Sequence, residues 1–365
     1  MKQSLQFSAA IVGVIVGAGF ASGQEIVQFF TFFGLKGTFG SILATVLFAI
    51  IFMRIVQLGS MLQTTSHQKV LYHICGKYIG IVVDFIITFF LFGVLVVMFA
   101  GSGSLFEQQF GLPNYVGNIF MAIITILTVC LNIQKIISIM GAFTPILFVM
   151  ILLIGGYSVA TMDYNFAELK ELSNVKSAAA SNWVLGSLLY VSYVTAAGFA
   201  MLTVMGGTSK EMKSSRNGGI MGGIALGLLI LLFHFAMISK FGSIQNVDMP
   251  SLLLADHLSP WVAIIMTVLI LGMIYNTAVG MLYSFTVRFF KADNRNFKKY
   301  IIGIGIIAFL ASFAGFTNLV GTLYPITGYL GFVLIAAILW SFVKTKNLKQ
   351  TQEAHTEDEK ESVSL

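Results

Sequence analysis

The sequence predicts an all-α integral membrane protein of ten transmembrane helices, built as two five-helix repeats of inverted topology. Three observations lead there. Of 365 residues, 57% are hydrophobic and only 10% charged, with a mean hydropathy of +0.89; a water-exposed surface made of such a chain would aggregate. Apolar runs long enough to cross a bilayer recur from one end to the other. Two short motifs also repeat at nearly one offset. "GAGFA", Gly17 to Ala21, returns as "AAGFA", Ala196 to Ala200, 179 residues on, and "GAFTPI", Gly141 to Ile146, returns as "GTLYPI", Gly321 to Ile326, 180 residues on.

The ten expected spans lie at about 7–33, 39–61, 78–105, 115–131, 136–160, 182–205, 217–241, 260–290, 299–319 and 322–343. Short turns separate most of them, so residues 1–343 read as one membrane domain with repeats at about 7–160 and 182–343. Five spans per repeat is an odd number, so the second repeat enters the membrane from the opposite side and pairs span 1 with span 6. The polar stretch 344–365, of mixed charge, reads as a disordered cytoplasmic tail. The first apolar run outlasts a signal peptide and is expected to stay in place.

Charge follows topology. With the N-terminus inside, 17 of the 21 Lys and Arg fall on inner segments and 4 (Lys36, Lys170, Lys176 and Lys240) on outer ones. The positive-inside rule then places both termini in the cytoplasm of a multi-pass cell-membrane protein. The net charge of +6 is therefore orientation, not a nucleic-acid footprint. Two cysteines, Cys75 and Cys130, do not make a disulfide framework.

Span 1 is interrupted by "VGAGFASGQE", Val16 to Glu25. Non-helical backbone at membrane depth is tolerated only where protein or a wet cavity satisfies it. Span 6 carries the matching signal, "SYVTAAGF". Helices 1 and 6 are thus both expected to be discontinuous. Their loose backbone groups, with Gly17, Ala18, Gly19, Ser22, Gly23, Gln24 and Glu25 on one side and Ser192, Tyr193, Thr195 and Gly198 on the other, would hold a small zwitterion or amine. Ser22 to Glu25 also matches a capping box, so Glu25 either caps the outer half-helix or binds a cation or proton. If it is ionised beside a substrate carboxylate it would repel it, so Glu25 is protonated, points away, or faces a substrate without a carboxylate.

In span 8, Asn276, Thr277, Gly280, Tyr283 and Ser284 share one helical face, which suits an ion path or a helix contact. Arg54 and Asp84 lie toward the cytoplasmic ends of neighbouring spans and form an inner gate, a structural salt bridge or snorkelling charges. His234 reads as a satisfied helix contact, with a proton relay as the alternative. His67 and His73 lack the companions of a metal site. Pro145 and Pro325 sit at matching places as hinges or tolerated kinks. Phosphate-loop, zincin and nucleophile-elbow motifs are missing, so an enzyme is not expected and transport energy must come from an ion gradient or from a partner encoded elsewhere.

These residues resemble a known group. "GAGFASG" in span 1, "TAAGF" in span 6 and the 5+5 pattern resemble the LeuT-fold transporters of the amino acid–polyamine–organocation superfamily, and "GAGFASGQE" is similar to the YkvI-type bacterial membrane proteins. The resemblance implies a Na⁺ site using carbonyls at Gly17 and Phe20 with the side chains of Asn276 and Thr277, and an aromatic gate at Tyr193. A second Na⁺ site would fall on Gln24 and Val194, where Val194 offers no ligand. The missing Asp-Pro-Gly motif argues against divalent-metal transport. The expected function is secondary transport of an amino acid or related small amine, coupled to Na⁺ or H⁺; the alternative is a ligand-sensing membrane subunit that keeps the fold without transport. No cofactor is expected apart from Na⁺ as a coupling ion.

Overall fold

The computed structural model describes residues 2–63, 67–131, 143–162, 164, 168–208, 212–290 and 295–363. Gly141, Ala142 and the start of the expected fifth span lie outside them. The described residues are helical nearly throughout. In chain order the helices are α1 (Lys2–Ile15), α2 (Ala18–Ser22), α3 (Gln24–Phe29), α4 (Lys36–Leu62), α5 (His67–Phe110), α6 (Asn114–Leu131), α7 (Phe143–Ala160), α8 (Trp183–Gly207), α9 (Met212–Ile238), α10 (Phe241–Ile244), α11 (Pro250–Leu258), α12 (Pro260–Phe289), α13 (Phe297–Ala311) and α14 (Phe316–Val363). Among the described residues seven helical segments are long and apolar enough to cross a membrane, and three shorter apolar ones lie at Ser4–Gly13, Asn114–Cys130 and Pro145–Ala160.

The packing divides into two groups. α1, α4, α8 and α9 pack on one another, α5 packs on α6, α12 and α14, and α14 also lies along α8. Small residues permit the closest approaches: a Cβ on Gly223 of α9 would come within 2.4 Å of the Ala49 backbone on α4.

The first apolar segment is broken, as its glycines predict. α1 stops at Ile15, Gly17 is extended (φ −102°, ψ −167°), and α2 begins. Gly23, at φ 82° and ψ −11°, ends α2 and starts α3. This left-handed conformation admits glycine with little strain.

Span 6 differs from expectation. α8 runs unbroken from Trp183 to Gly207, through Ser192 to Gly198. Two of its polar side chains are satisfied without opening the backbone: the Ser192 hydroxyl donates to the Gly328 carbonyl at 2.6 Å and the Thr203 hydroxyl to the Phe199 carbonyl at 2.6 Å. Gly198 serves packing, because a Cβ there would stand 2.4 Å from Ile15 Cδ1 of α1. The glycine marks a close helix crossing rather than a break.

Other boundaries also move. Gly315, at φ 87°, separates the last two apolar helices, so residues 316–319 belong to α14. α10 and α11 occupy a stretch read as a connection; Pro250 opens α11 at a first-turn position where its missing N–H costs nothing. α5 is kinked at Gly76 (φ 70°, ψ 178°). α14 is helical to Val363, and its last part is rich in Lys, Glu and Gln, which are good helix formers.

Candidate functional site at the helix break

The break lines a cavity of about 260 Å³. Its wall comes from Ile15, Gly17, Ala18, Gly19 and Glu25 of the broken segment, Tyr193, Val194, Ala197 and Gly198 of α8, Phe90, Val94 and Met98 of α5, Asn276, Thr277, Gly280 and Met281 of α12, and Tyr324 of α14. The two motif copies, distant in sequence, thus meet across one space.

Glu25 is 4% exposed. The capping box does not form: the N-cap of α3 is Gly23, no side chain caps it, and the Ser22 hydroxyl donates to the Gly19 carbonyl at 2.8 Å while accepting from the Gln24 N–H at 3.2 Å. Its carboxyl group turns into a cage of tyrosines. The Tyr190 hydroxyl donates to Glu25 Oε2 at 3.2 Å, and Tyr193 lines the same cavity as Glu25. Tyr193 stacks on Tyr324 with ring centres 4.5 Å apart and 16° between planes. Gly19 makes room for this arrangement: a Cβ on it would lie 1.9 Å from Glu25 Oε1 and 3.2 Å from the Tyr324 hydroxyl.

Of the predicted substrate residues, Gly17, Ala18, Gly19, Glu25, Tyr193 and Gly198 line the cavity. Ser22, Gly23, Gln24, Ser192 and Thr195 are not part of its wall. Gln24 donates to the Thr317 hydroxyl at 3.1 Å, Thr195 is fully buried with its hydroxyl unpartnered, and Gly23 packs against Met237 and Ser251. Of the predicted ion ligands, Asn276 and Thr277 face Gly17 across the cavity, with Thr277 Oγ1 3.8 Å from where a Gly17 Cβ would be. The Gly17 and Phe20 carbonyls already accept from the Ala21 and Gly23 N–H groups at 2.9 and 3.0 Å.

A wider vestibule of about 730 Å³ adjoins the cavity, and Phe90 and Ala197 line both. Its rim holds Asp84, Thr88 and His67 of α5 with Arg288 of α12. Arg288 donates to Asp84 Oδ1 at 2.7 Å and to the Thr88 hydroxyl at 2.9 Å. The predicted Arg54–Asp84 gate is therefore not formed. Arg54 instead holds Ser341 of α14, its Nε donating to the hydroxyl at 2.8 Å. Arg288 was missed as the partner of Asp84 because a span-end arginine carries no sequence mark of which helix it faces.

Beyond the cavity, on the side away from the vestibule, polar groups of several segments are tied together. Ser104 lies 16 residues past Thr88, about 24 Å further along α5. It donates to Asp248 Oδ2 at 2.6 Å, and the Thr317 hydroxyl donates to Asp248 Oδ1 at 2.5 Å. Gln28 reaches the Thr317 carbonyl at 3.0 Å, and Gln108 exchanges two 3.0 Å hydrogen bonds with the Met249 backbone. This cluster ties α3, α5 and α14 together. It was not foreseen, since Asp248 stands in a segment read as a connection and Thr317 near the end of the expected ninth span. His234 is satisfied between the Thr31 and Thr38 hydroxyls, at 3.3 and 3.1 Å. Among the described residues no group of three or more His, Cys, Asp or Glu could hold a metal ion.

No family model matches the chain. It is 25% identical over 334 residues to YkvI, an uncharacterised membrane protein of Bacillus subtilis strain 168, covering 92% of this chain and 94% of YkvI. It is also 25% identical over 343 residues to YyaD of the same organism, covering 93% and 96%. The chain is a homologue of YkvI and YyaD. Its structure is similar to that of MhsT in complex with L-phenylalanine (TM-score 0.60, 15% identity, 93% of this chain and 98% of MhsT). It is also similar to a manganese transporter of Eremococcus coleocola (0.58, 12%, 92% and 78%) and to Mhp1 in its inward-facing conformation (0.54, 14%, 90% and 72%). These are LeuT-fold transporters, and at such identities the likeness establishes a shared fold. That a manganese transporter is among them shows that the fold alone does not choose the solute.

Proposed function

We propose that the chain is a secondary active transporter of an amino acid or related small amine, coupled to Na⁺ or H⁺, which works by alternating access around the cavity at the break in span 1. In this reading α1 to α3 together form span 1, α4 to α7 complete the first repeat, and α8, α9, α12, α13 and α14 form the second, inverted one. The grouping of α1, α4, α8 and α9 supports it, because these are the first two spans of each repeat and can move as one bundle.

The observation that carries the reading is the order of features along α5. Asp84 and Thr88 rim an open vestibule, Phe90, Val94 and Met98 line the cavity, and Ser104 joins a closed polar cluster. A pocket open on one side and latched on the other is one state of an alternating-access cycle. With the N-terminus inside, the vestibule faces the cytoplasm. Asn276, Thr277 and the Gly17 carbonyl, all at the cavity, are the oxygen groups that would serve Na⁺ if that is the coupling ion.

The test is uptake of labelled amino acids and amines into proteoliposomes under an imposed Na⁺ or pH gradient. Accumulation that collapses with an ionophore is expected. Saturable uptake indifferent to both gradients, or no uptake of any solute by folded protein, contradicts the reading.

A further inference from the structure

The cavity wall is unbalanced in charge. Apart from the tyrosine hydroxyls, Glu25 is the sole ionisable group among the described residues of the wall, and no described Lys, Arg or His lines it. A solute carboxylate brought there would meet a second carboxyl group with no basic side chain to separate them. An ammonium would meet one carboxylate, with the aromatic side chains of Tyr193, Tyr324 and Phe90 also in the wall. The remaining wall, with Ile15, Val94, Met98, Val194 and Met281, suits a small apolar substituent.

The surroundings of Glu25 also limit its charge. α8 faces it with Tyr190 and Tyr193, and α14 with Tyr324. α2 has no titratable residue; on α9, Lys213 and Arg216 are exposed and His234 is held by Thr31 and Thr38; and on α11 Asp256 and His257 are exposed. Neither Asn276 nor Thr277 of α12 carries a charge. An ion taken out of water without a partner is strongly disfavoured. Glu25 therefore needs either a proton or an accompanying cation, and the wall offers no second acid to keep the proton when a cation arrives.

Resting on the transporter reading above, we propose that the solute is a small organic amine without a carboxylate, and that its ammonium and a proton occupy Glu25 in turn, making the protein an amine–proton exchanger. Binding leaves the solute's own proton in place. The Glu25 carboxyl O–H gives its proton to solvent, and the resulting carboxylate pairs with the ammonium. One positive charge enters the site as one leaves, so exchange is electroneutral.

The test is performed on purified full-length protein in weakly buffered detergent with a pH dye. The probes are phenethylamine, isobutylamine and choline, with phenylalanine and phenylacetamide as the zwitterionic and neutral counterparts. An amine probe is expected to bind and release close to one proton per site. Its apparent Kd should rise about tenfold for each unit of pH below the carboxyl's midpoint. Phenylalanine and phenylacetamide should bind at least about tenfold more weakly, a difference of about 1.4 kcal/mol. Glu25→Gln should lose the proton release and the pH dependence; the wild-type proton count decides even if that variant does not fold. Binding without proton release, affinity independent of pH, phenylalanine binding as tightly as phenethylamine, or no binding by any of the three amines each overturns the proposal. Proton release with no flux in proteoliposomes would instead overturn the transporter reading and leave the site chemistry standing.

Discussion

The two copies of one motif, Gly17 to Ala21 and Ala196 to Ala200, have opposite backbone fates. The first lies in a chain interrupted at both ends of α2; the second lies inside the unbroken α8. Both copies share glycine, phenylalanine and alanine at their last three places, so these residues do not cause the break. The difference lies at the flanks. At the offset of 179, Gly17 corresponds to Ala196 and Gly23 to Leu202. Gly23 takes a left-handed turn at φ 82°, which leucine avoids, and Leu202 continues a helix and is fully buried. The shared glycine does similar work in both copies: Gly19 admits the Glu25 carboxyl group, and Gly198 admits Ile15.

Substitutions at the flanks break or sharpen this contrast. Gly23→Leu, which makes the first copy resemble the second, should have the largest effect. Its Cβ would meet Met237 Cε at 2.3 Å and the Ser251 N at 3.2 Å, on a backbone that disfavours it. We expect a loss of about 2–4 kcal/mol in stability, read as a lower melting temperature in detergent, together with loss of solute binding. Gly198→Leu should cost less, about 1–3 kcal/mol, because the obstructing atom is the flexible end of Ile15. Gly17→Ala should be the mildest, within about 0.5 kcal/mol of the parent, since its φ of −102° suits any residue and the nearest atoms to its Cβ stand at 3.8 and 3.9 Å. A severe defect at Gly17 with a silent Gly23→Leu would reverse the assignment of what breaks the helix.

The same contrast shows how much was legible in the sequence. The membrane class, the break at Gly17 to Gly23 and the meeting of the two motif copies follow from composition and local backbone chemistry. The continuity of α8 was legible too, had Leu202 been weighed as heavily as Gly198. Longer-range pairings were not. Asp84 joins Arg288, 204 residues away, and Asp248 joins Ser104, 144 residues away. Such partners are chosen by how helices pack, which no local pattern records. Glu25 falls between these cases: its S-x-x-E spacing suggested a cap, but the tertiary contact with Tyr190 engages its carboxyl group instead.

The central claim is that the cavity at the break is a cation-selective solute site reached from the vestibule. Ala197 lines both spaces, so the most direct measurement is thiol labelling of Ala197→Cys, with Cys75 and Cys130 replaced by serine, in vesicles of known orientation. The reagents are a cationic ethylammonium thiosulfonate and an anionic ethylsulfonate one of similar size. The account predicts reaction from the Asp84–Arg288 side only, with the cationic reagent faster by at least about tenfold. Equal rates for the two reagents, or labelling from the face closed by Asp248 and Thr317, would contradict it.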